Sequence, residues 1–116
     1  MLNLFRKLMF NKYDKFAKEL GYPSWKEAEE HTFFIFHIPI DAGWYATELP
    51  DKNWAIWNDE GEPPYSFKVI ETWEETIRYL KDLFDGSELP EHHWFPEGFD
   101  REEDVYKTPP DKEKKL

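Results

Sequence analysis

Cysteine is absent from the 116 residues. That count alone excludes a disulfide framework, a thiolate nucleophile and every zinc or iron–sulfur site that uses cysteine. Long apolar runs are missing as well. No stretch approaches the roughly 18 to 20 consecutive apolar residues that cross a bilayer. Arg6, Lys7 and Lys12 fall where a secretory signal would need an unbroken apolar segment, so the cytoplasm is the expected compartment. There is no glycine-rich phosphate loop, no Gly-x-Ser-x-Gly elbow and no His-Glu-x-x-His pair. Serine is confined to Ser24, Ser66 and Ser87, too few to assemble a nucleophilic triad easily once Ser24 serves as a helix cap. These absences argue against an enzyme; no catalytic residue is assigned and no cofactor is implied.

What the chain does hold is acid and aromatic rings. Fifteen basic residues against 25 acidic ones leave a formal charge of −10, and 19 % of the residues are aromatic, well above what a disordered acidic chain carries. The apolar fraction of 40 % is enough for one core. Negative charge repels phosphate backbones and anionic headgroups, so direct nucleic-acid binding is not expected and a basic protein surface is the fitting partner. The charge is also segregated. Residues 1–22 carry five basic residues against two acidic (+3), residues 23–100 carry five against eighteen (−13), and residues 101–116 balance at five each.

Leu2, Phe5, Met9, Tyr13, Phe16 and Leu20 recur at helical spacing and predict a basic amphipathic helix within residues 1–22, stopped by Gly21 and Pro23. Leu4 and Leu8 lie on its other side, so the helix either packs on its own domain or reaches for a second surface. Ser24-Trp25-Lys26-Glu27 has the form of a capping box and opens a short second helix from Trp25 to about His31. Thr32 to Ile38 is β-rich and apolar on both faces, which reads as an interior strand. Trp44 to Leu49 and Trp54 to Trp57 form a hairpin around Pro50-Asp51-Lys52-Asn53, and Tyr65, Phe67 and Val69 alternate as a further strand. A second capping box, Thr72-Trp73-Glu74-Glu75, opens a helix with Trp73, Ile77, Leu80 and Phe84 on one face, ending near Gly86. The expected architecture is therefore α+β: two N-terminal helices, a small antiparallel sheet of about four strands, one C-terminal helix packed on the sheet, and an irregular tail. A single domain covers residues 1–100. The tail should rest on the body through Leu89, Trp94, Phe95 and Phe99, and the charged residues 101–116 should be disordered.

Three clusters invite a chemical reading. Glu91-His92-His93, with Glu88, Glu97 and Asp100 nearby, offers nitrogen and oxygen ligands at a spacing that matches no zinc signature, and no metal site is assigned. His37 shares strand parity with Phe33 and Ile35 and is expected to be a hydrogen-bonded histidine at the end of a core strand. Asn58-Asp59-Glu60-Gly61-Glu62 superficially resembles a calcium loop, but Pro63 and Pro64 follow where the loop should continue, so an acidic turn is the simpler account.

The remaining constellation is aromatic rings beside carboxylates on the hairpins. If Tyr65, Phe67, Val69, Trp54 and Ile56 face the core, alternation sends Ala55, Trp57, Ser66 and Lys68 to the other face, where one of Trp44 or Tyr45 joins them. Either the N-terminal helix covers that second face, or the rings form a partly exposed patch. In the second case Trp57 with Trp44 or Tyr45 is rimmed by Asp41, Glu48, Asp51, Asp59, Glu60 and Glu62, a surface suited to a basic partner. The function expected is a small acidic protein-binding module. An inhibitor, antidote or accessory protein that meets a nucleic-acid-binding enzyme or toxin, its carboxylates imitating nucleic-acid phosphates, would have this character. A sugar- or nucleotide-binding protein that stacks its ligand on Trp and Tyr is the alternative.

Overall fold

The computed structural model describes residues 2–39 and 42–115, with side chains from residue 11 onward. Helix α1 (Leu2–Glu19) ends where Gly21 takes a φ of +97°, a conformation that costs glycine least, and the Tyr22 amide closes back on the Ala17 carbonyl at 2.9 Å. Of its apolar stripe, Phe16 and Leu20 are buried and Tyr13 is half-buried; the expectations for Leu2, Leu4, Phe5, Leu8 and Met9 fall on side chains outside the described set. Helix α2 (Trp25–Glu30) is capped by the Ser24 side chain, which accepts from the Glu27 amide, and is pinned to α1 by Asp14, which accepts from the Trp25 amide at 2.9 Å.

Four strands follow in antiparallel order: β1 (Thr32–Ile38), β2 (Ala42–Glu48), β3 (Trp54–Asn58) and β4 (Lys68–Ile70). Helix α3 (Trp73–Gly86) begins at Thr72, whose side chain accepts from the Glu75 amide at 3.2 Å, and lies on the sheet. The architecture is thus the α+β arrangement expected from the sequence. Each sheet face has its own core. On the α3 side Phe33, Ile35, Phe36, Ala46, Trp54 and Ile56 meet Trp73, Ile77, Leu80 and Phe84. On the other side Ala55, Trp57 and Tyr65 meet Phe16 of α1 and Leu20 in the turn that follows it, with Trp25 of α2 packed against them.

Several expectations are corrected here. β1 is the terminal strand of the ladder, not an interior one. Its two apolar faces are both covered, and its open edge is closed by a later segment instead of a fifth strand. Phe36 bridges to Trp94, the Phe95 amide donates to the Ile35 carbonyl, and Glu97 and Phe34 exchange bonds through the Glu97 amide and carboxylate, both at 2.9 Å. A bulge also interrupts β1, since Phe34 pairs with Tyr45 and Phe36 with Trp44, leaving Ile35 extra. The added residue reverses parity beyond it. Ile35 and Phe36 both join the α3 core, and His37, next to last in β1, is exposed instead of sharing a core face with Phe33 and Ile35.

β4 is shorter than expected, and Tyr65 and Phe67, which precede it, face the side of the sheet opposite to the one expected. Pro63 and Pro64 have no amide to donate, and pairing with β3 begins only at Lys68, opposite Ile56. Val69 pairs with Ala55, so the parity of Tyr65, Phe67 and Val69 belongs with Ala55 and Trp57. Tyr65 and Phe67 pack there, while Val69 lies beyond the cover and is 49 % exposed.

The expected disorder from Arg101 is replaced by docking. A 3-10 helix (Glu102–Tyr106) places Val105 in the α3 core, 3 % exposed, and its carbonyl accepts from the Trp73 indole at 2.8 Å. The Asp111 amide then bonds to the Gly98 carbonyl at 2.9 Å, ahead of a last 3-10 turn (Lys112–Lys114). One buried valine and one indole partner are what composition could not reveal. Phe95, expected to pack, is 58 % exposed. Among the described residues no helix is long and apolar enough to cross a membrane.

Candidate functional site

β2 and β3 bring Tyr45 opposite Trp57, and the two rings stack with centroids 4.5 Å apart. Gly43 makes room for this arrangement, because a Cβ there would stand 3.1 Å from the Tyr45 hydroxyl. Trp57 follows the first of the two alternatives, cover by the N-terminal helix, and is not an exposed anchor. It is 3 % exposed, covered by Phe16 of α1 at 4.9 Å and Tyr65 at 5.4 Å. Its indole donates to Thr47 Oγ1 at 2.9 Å. Thr32 Oγ1 lies 2.7 Å from Thr47 Oγ1 and 2.8 Å from the Ala28 carbonyl. Only one proton order satisfies this chain: the indole donates to Thr47, Thr47 to Thr32, and Thr32 to the carbonyl. Buried polar groups are costly unless paired, so the chain orients Trp57 and ties the end of α2 to the sheet.

Beside this stack lies a cleft of about 310 Å³, bounded by Tyr13, Trp25, Tyr45 and Trp57, with Thr32, Glu29, Asp59, Glu97 and Lys115 around it. Each of the three carboxylates is held by a hydrogen bond. Glu29 accepts from the Trp25 indole at 2.9 Å, four residues before it on the same helix. Asp59 accepts from the Gly43 amide at 2.7 Å and the Tyr45 hydroxyl at 3.3 Å, locking the turn to β2. Glu97 is fixed through the β1 edge. Among the described residues one ammonium, that of Lys115, stands among them; it donates to the Glu29 carbonyl and lies 5.5 Å from the Phe33 ring centre. Burial, with the nearby Asp59 carboxylate, pushes the Tyr45 hydroxyl up to about 12. Tyr65 is also raised, by burial first and then by its bond with Tyr13. An excess of negative charge against aromatic faces is a setting that attracts a cation.

Of the residues singled out from the sequence, Tyr45, Trp57 and Asp59 meet at this cleft. Trp44 goes to the α3 face and stacks on Phe36. Glu48 sits near the far end of the hairpin, its carbonyl accepting from Tyr22, and Asp51 organises the β2–β3 turn by accepting from the Asn53 amide. Glu60 and Glu62 are exposed on the same turn as Asp59, with Glu62 paired to Lys12 at 2.7 Å, which holds its carboxyl below the usual range. Asp41 lies outside the described residues. The proposed rim is therefore divided between opposite ends of the hairpin and does not encircle one patch.

Sequence reasoning missed Glu29 and Lys115, and named Glu97 only beside the histidine pair. The spacing of Trp25 and Glu29 is a readable signal for the first; the other two arrive through long-range chain return. A second groove of about 380 Å³ is lined by residues between 91 and 106 and by Lys114, with Trp94, Phe95, Phe99 and Tyr106 as its rings; of its four carboxylates, Glu91 and Asp100 are paired with Lys81 and Lys114. His92 and His93 are brought to 4.6 Å between ring centres by a 3-10 turn (Glu91–His93). No group of three or more His, Cys, Asp or Glu residues converges on a metal position among the described residues. No family model matches the chain, and neither a curated protein nor a solved structure matches it.

Proposed function

We propose that this protein is a small acidic binding module that engages a basic surface of a partner protein, as an inhibitor, antidote or accessory protein does. The observation that supports the reading is the convergence of Glu29, Asp59 and Glu97 on an aromatic cleft where, among the described residues, Lys115 is the one cation. Glu60 and Glu62 extend the negative field along the adjoining turn, where they steer an approaching cationic surface. The test is calorimetric titration with a ten-residue lysine-rich peptide at low and high salt. Affinity should fall by at least about tenfold between 50 and 300 mM salt, as screening of several charge pairs requires. The double variant Glu60→Lys and Glu62→Lys should bind several-fold more weakly while keeping its far-UV spectrum. Equal affinity at both salt concentrations, or an unaffected variant, refutes the reading.

The second reading is a small-molecule site. The cleft volume stands at the lower end of ligand pockets, and its polar atoms suit a sugar or nucleotide base. Saturable tryptophan quenching by such a ligand, insensitive to salt, would favour it over the first.

A further inference from the structure

We infer that the groove beside the 3-10 helix Glu102–Tyr106 holds an apolar side chain of the partner protein, a leucine or an aromatic ring set between lysines or arginines. The inference rests on the reading of a basic partner and names the group that anchors it. Four large apolar side chains are exposed among the described residues, Val69, Tyr79, Phe95 and Tyr106, and the last two line this one groove of about 380 Å³. Trp94 and Phe99 form its base, since they pack inward on Phe84 at 5.3 Å and on Trp73 at 5.9 Å. Phe95 and Tyr106, 58 % and 44 % exposed, pack on no other ring among the described residues. Releasing water from such rings is the driving force that seats an anchor side chain in a pocket.

Both walls are fixed before anything binds. Phe95 stands on the segment that closes the β1 edge, where its amide donates to the Ile35 carbonyl at 3.2 Å and the Glu97 amide to the Phe34 carbonyl at 2.9 Å. Tyr106 ends the 3-10 helix that Val105 secures, through its buried side chain and through its carbonyl, which accepts from the Trp73 indole at 2.8 Å. A slot formed in advance loses little entropy when it is filled. Charge then selects the occupant. Glu91 and Asp100 are offset by Lys81 and Lys114, and Arg101 by Glu103 and Asp104, so the charge left on the lining is that of Glu97 and Glu102. A second copy of this chain brings a charge of −10 of its own and is repelled, whereas an apolar side chain carried between cations is favoured at the rings and at the rim.

The experiment titrates the intact, isotope-labelled chain with capped heptapeptides in which leucine or serine stands between lysines, with leucine between glutamates, and with N-acetyl-leucinamide. The Trp94 indole N–H and the Val105 methyl resonances are followed. The lysine-flanked leucine peptide should move both saturably and bind about tenfold or more tightly than the serine peptide, the factor that burial of one leucine side chain supplies. Phe95→Ala, with its far-UV spectrum retained, should bring the leucine peptide to within about twofold of the serine one, because one wall of the anchor site is gone. Val69→Ala, at an exposed apolar site on β4, should leave the ratio unchanged. Equal binding of the leucine and serine peptides removes the anchor, and if both still bind in a salt-dependent way the module reading stands without it; binding of neither refutes both. A ratio that survives Phe95→Ala, or that Val69→Ala abolishes, overturns the location. Glutamate-flanked leucine binding as tightly as the lysine-flanked peptide overturns the basic setting, and N-acetyl-leucinamide doing so overturns a protein partner. A dimer detected by sedimentation and dissolved by Phe95→Ala gives the groove to a second copy and refutes the assignment.

Discussion

Replacing Phe16 with alanine tests whether α1 belongs to the body or merely rests beside it. The side chain has no exposed surface. Its ring centre lies 4.9 Å from Trp57, 5.3 Å from Tyr65, 6.1 Å from Trp25 and 6.3 Å from Phe67, so one residue of α1 touches both β3 and α2. Truncating a buried phenylalanine costs about 3–5 kcal/mol, and the edge-on aromatic contacts place this site in the upper half of that range, about 4–5 kcal/mol. With a urea slope of about 1.5 kcal/mol per M, the unfolding midpoint falls by about 3 M. The assay is urea unfolding followed in parallel by tryptophan fluorescence and far-UV circular dichroism. Because a domain of this size holds only about 5–15 kcal/mol in total, Phe16→Leu serves as the milder member of the series, at about 1–2 kcal/mol. Phe95→Ala, at a site 58 % exposed, is the control and should change stability by about 0.5 kcal/mol or less. A loss below about 1 kcal/mol for Phe16→Ala, or a loss equal to that of the control, would refute the docking of α1 and with it the walls of the cleft.

Thr47→Val should cost about 1–3 kcal/mol, because it strands the Trp57 indole N–H beneath the aromatic cluster; faster hydrogen exchange at that N–H is the specific readout, and unchanged exchange would contradict the proton order assigned to the threonine chain. Alkaline pH should unfold the protein in a defined window. The folded-state values of Tyr22 and Tyr45 are raised from 10.0 to about 12, so the stability they contribute is fully present below pH 10 and is lost as pH climbs through 12. Absorbance of tyrosinate in the native protein should accordingly lag behind that of the urea-unfolded chain; coincident titration curves would rule this out. Val105→Asp should release residues 101–115 by placing an unpaired charge in the α3 core, speeding trypsin cleavage at Arg101 and Lys107 by about tenfold or more while the remaining body stays resistant. Cleavage at the wild-type rate would show that the segment is not held by Val105.

The legible parts of this molecule were those whose cause lies within a few residues. Ser24 and Thr72 cap their helices through side chains that reach amides three positions on, and the pattern is visible because both partners share one turn. The α3 stripe of Trp73, Ile77, Leu80 and Phe84 and the turn at Asp51 follow for the same reason. The site was half legible. Tyr45 and Trp57 share a face by strand alternation, and of the two alternatives for that face the cover by the N-terminal helix is the one realised, giving a buried stack with a cleft beside it.

Residue order and composition by themselves determined that this chain builds an acidic α+β body without cysteine chemistry, because caps, periodicity and charge counts are local or additive quantities. Only the tertiary structure decided the parity of β1 beyond Ile35, the face taken by Tyr65 and Phe67, the docking of Val105, and the meeting of Glu29, Asp59, Glu97 and Lys115. Each of these depends on contacts between segments far apart in the chain. A bulge or a returning tail is selected by the packing energy of the assembled whole, and no window of neighbouring residues contains that energy.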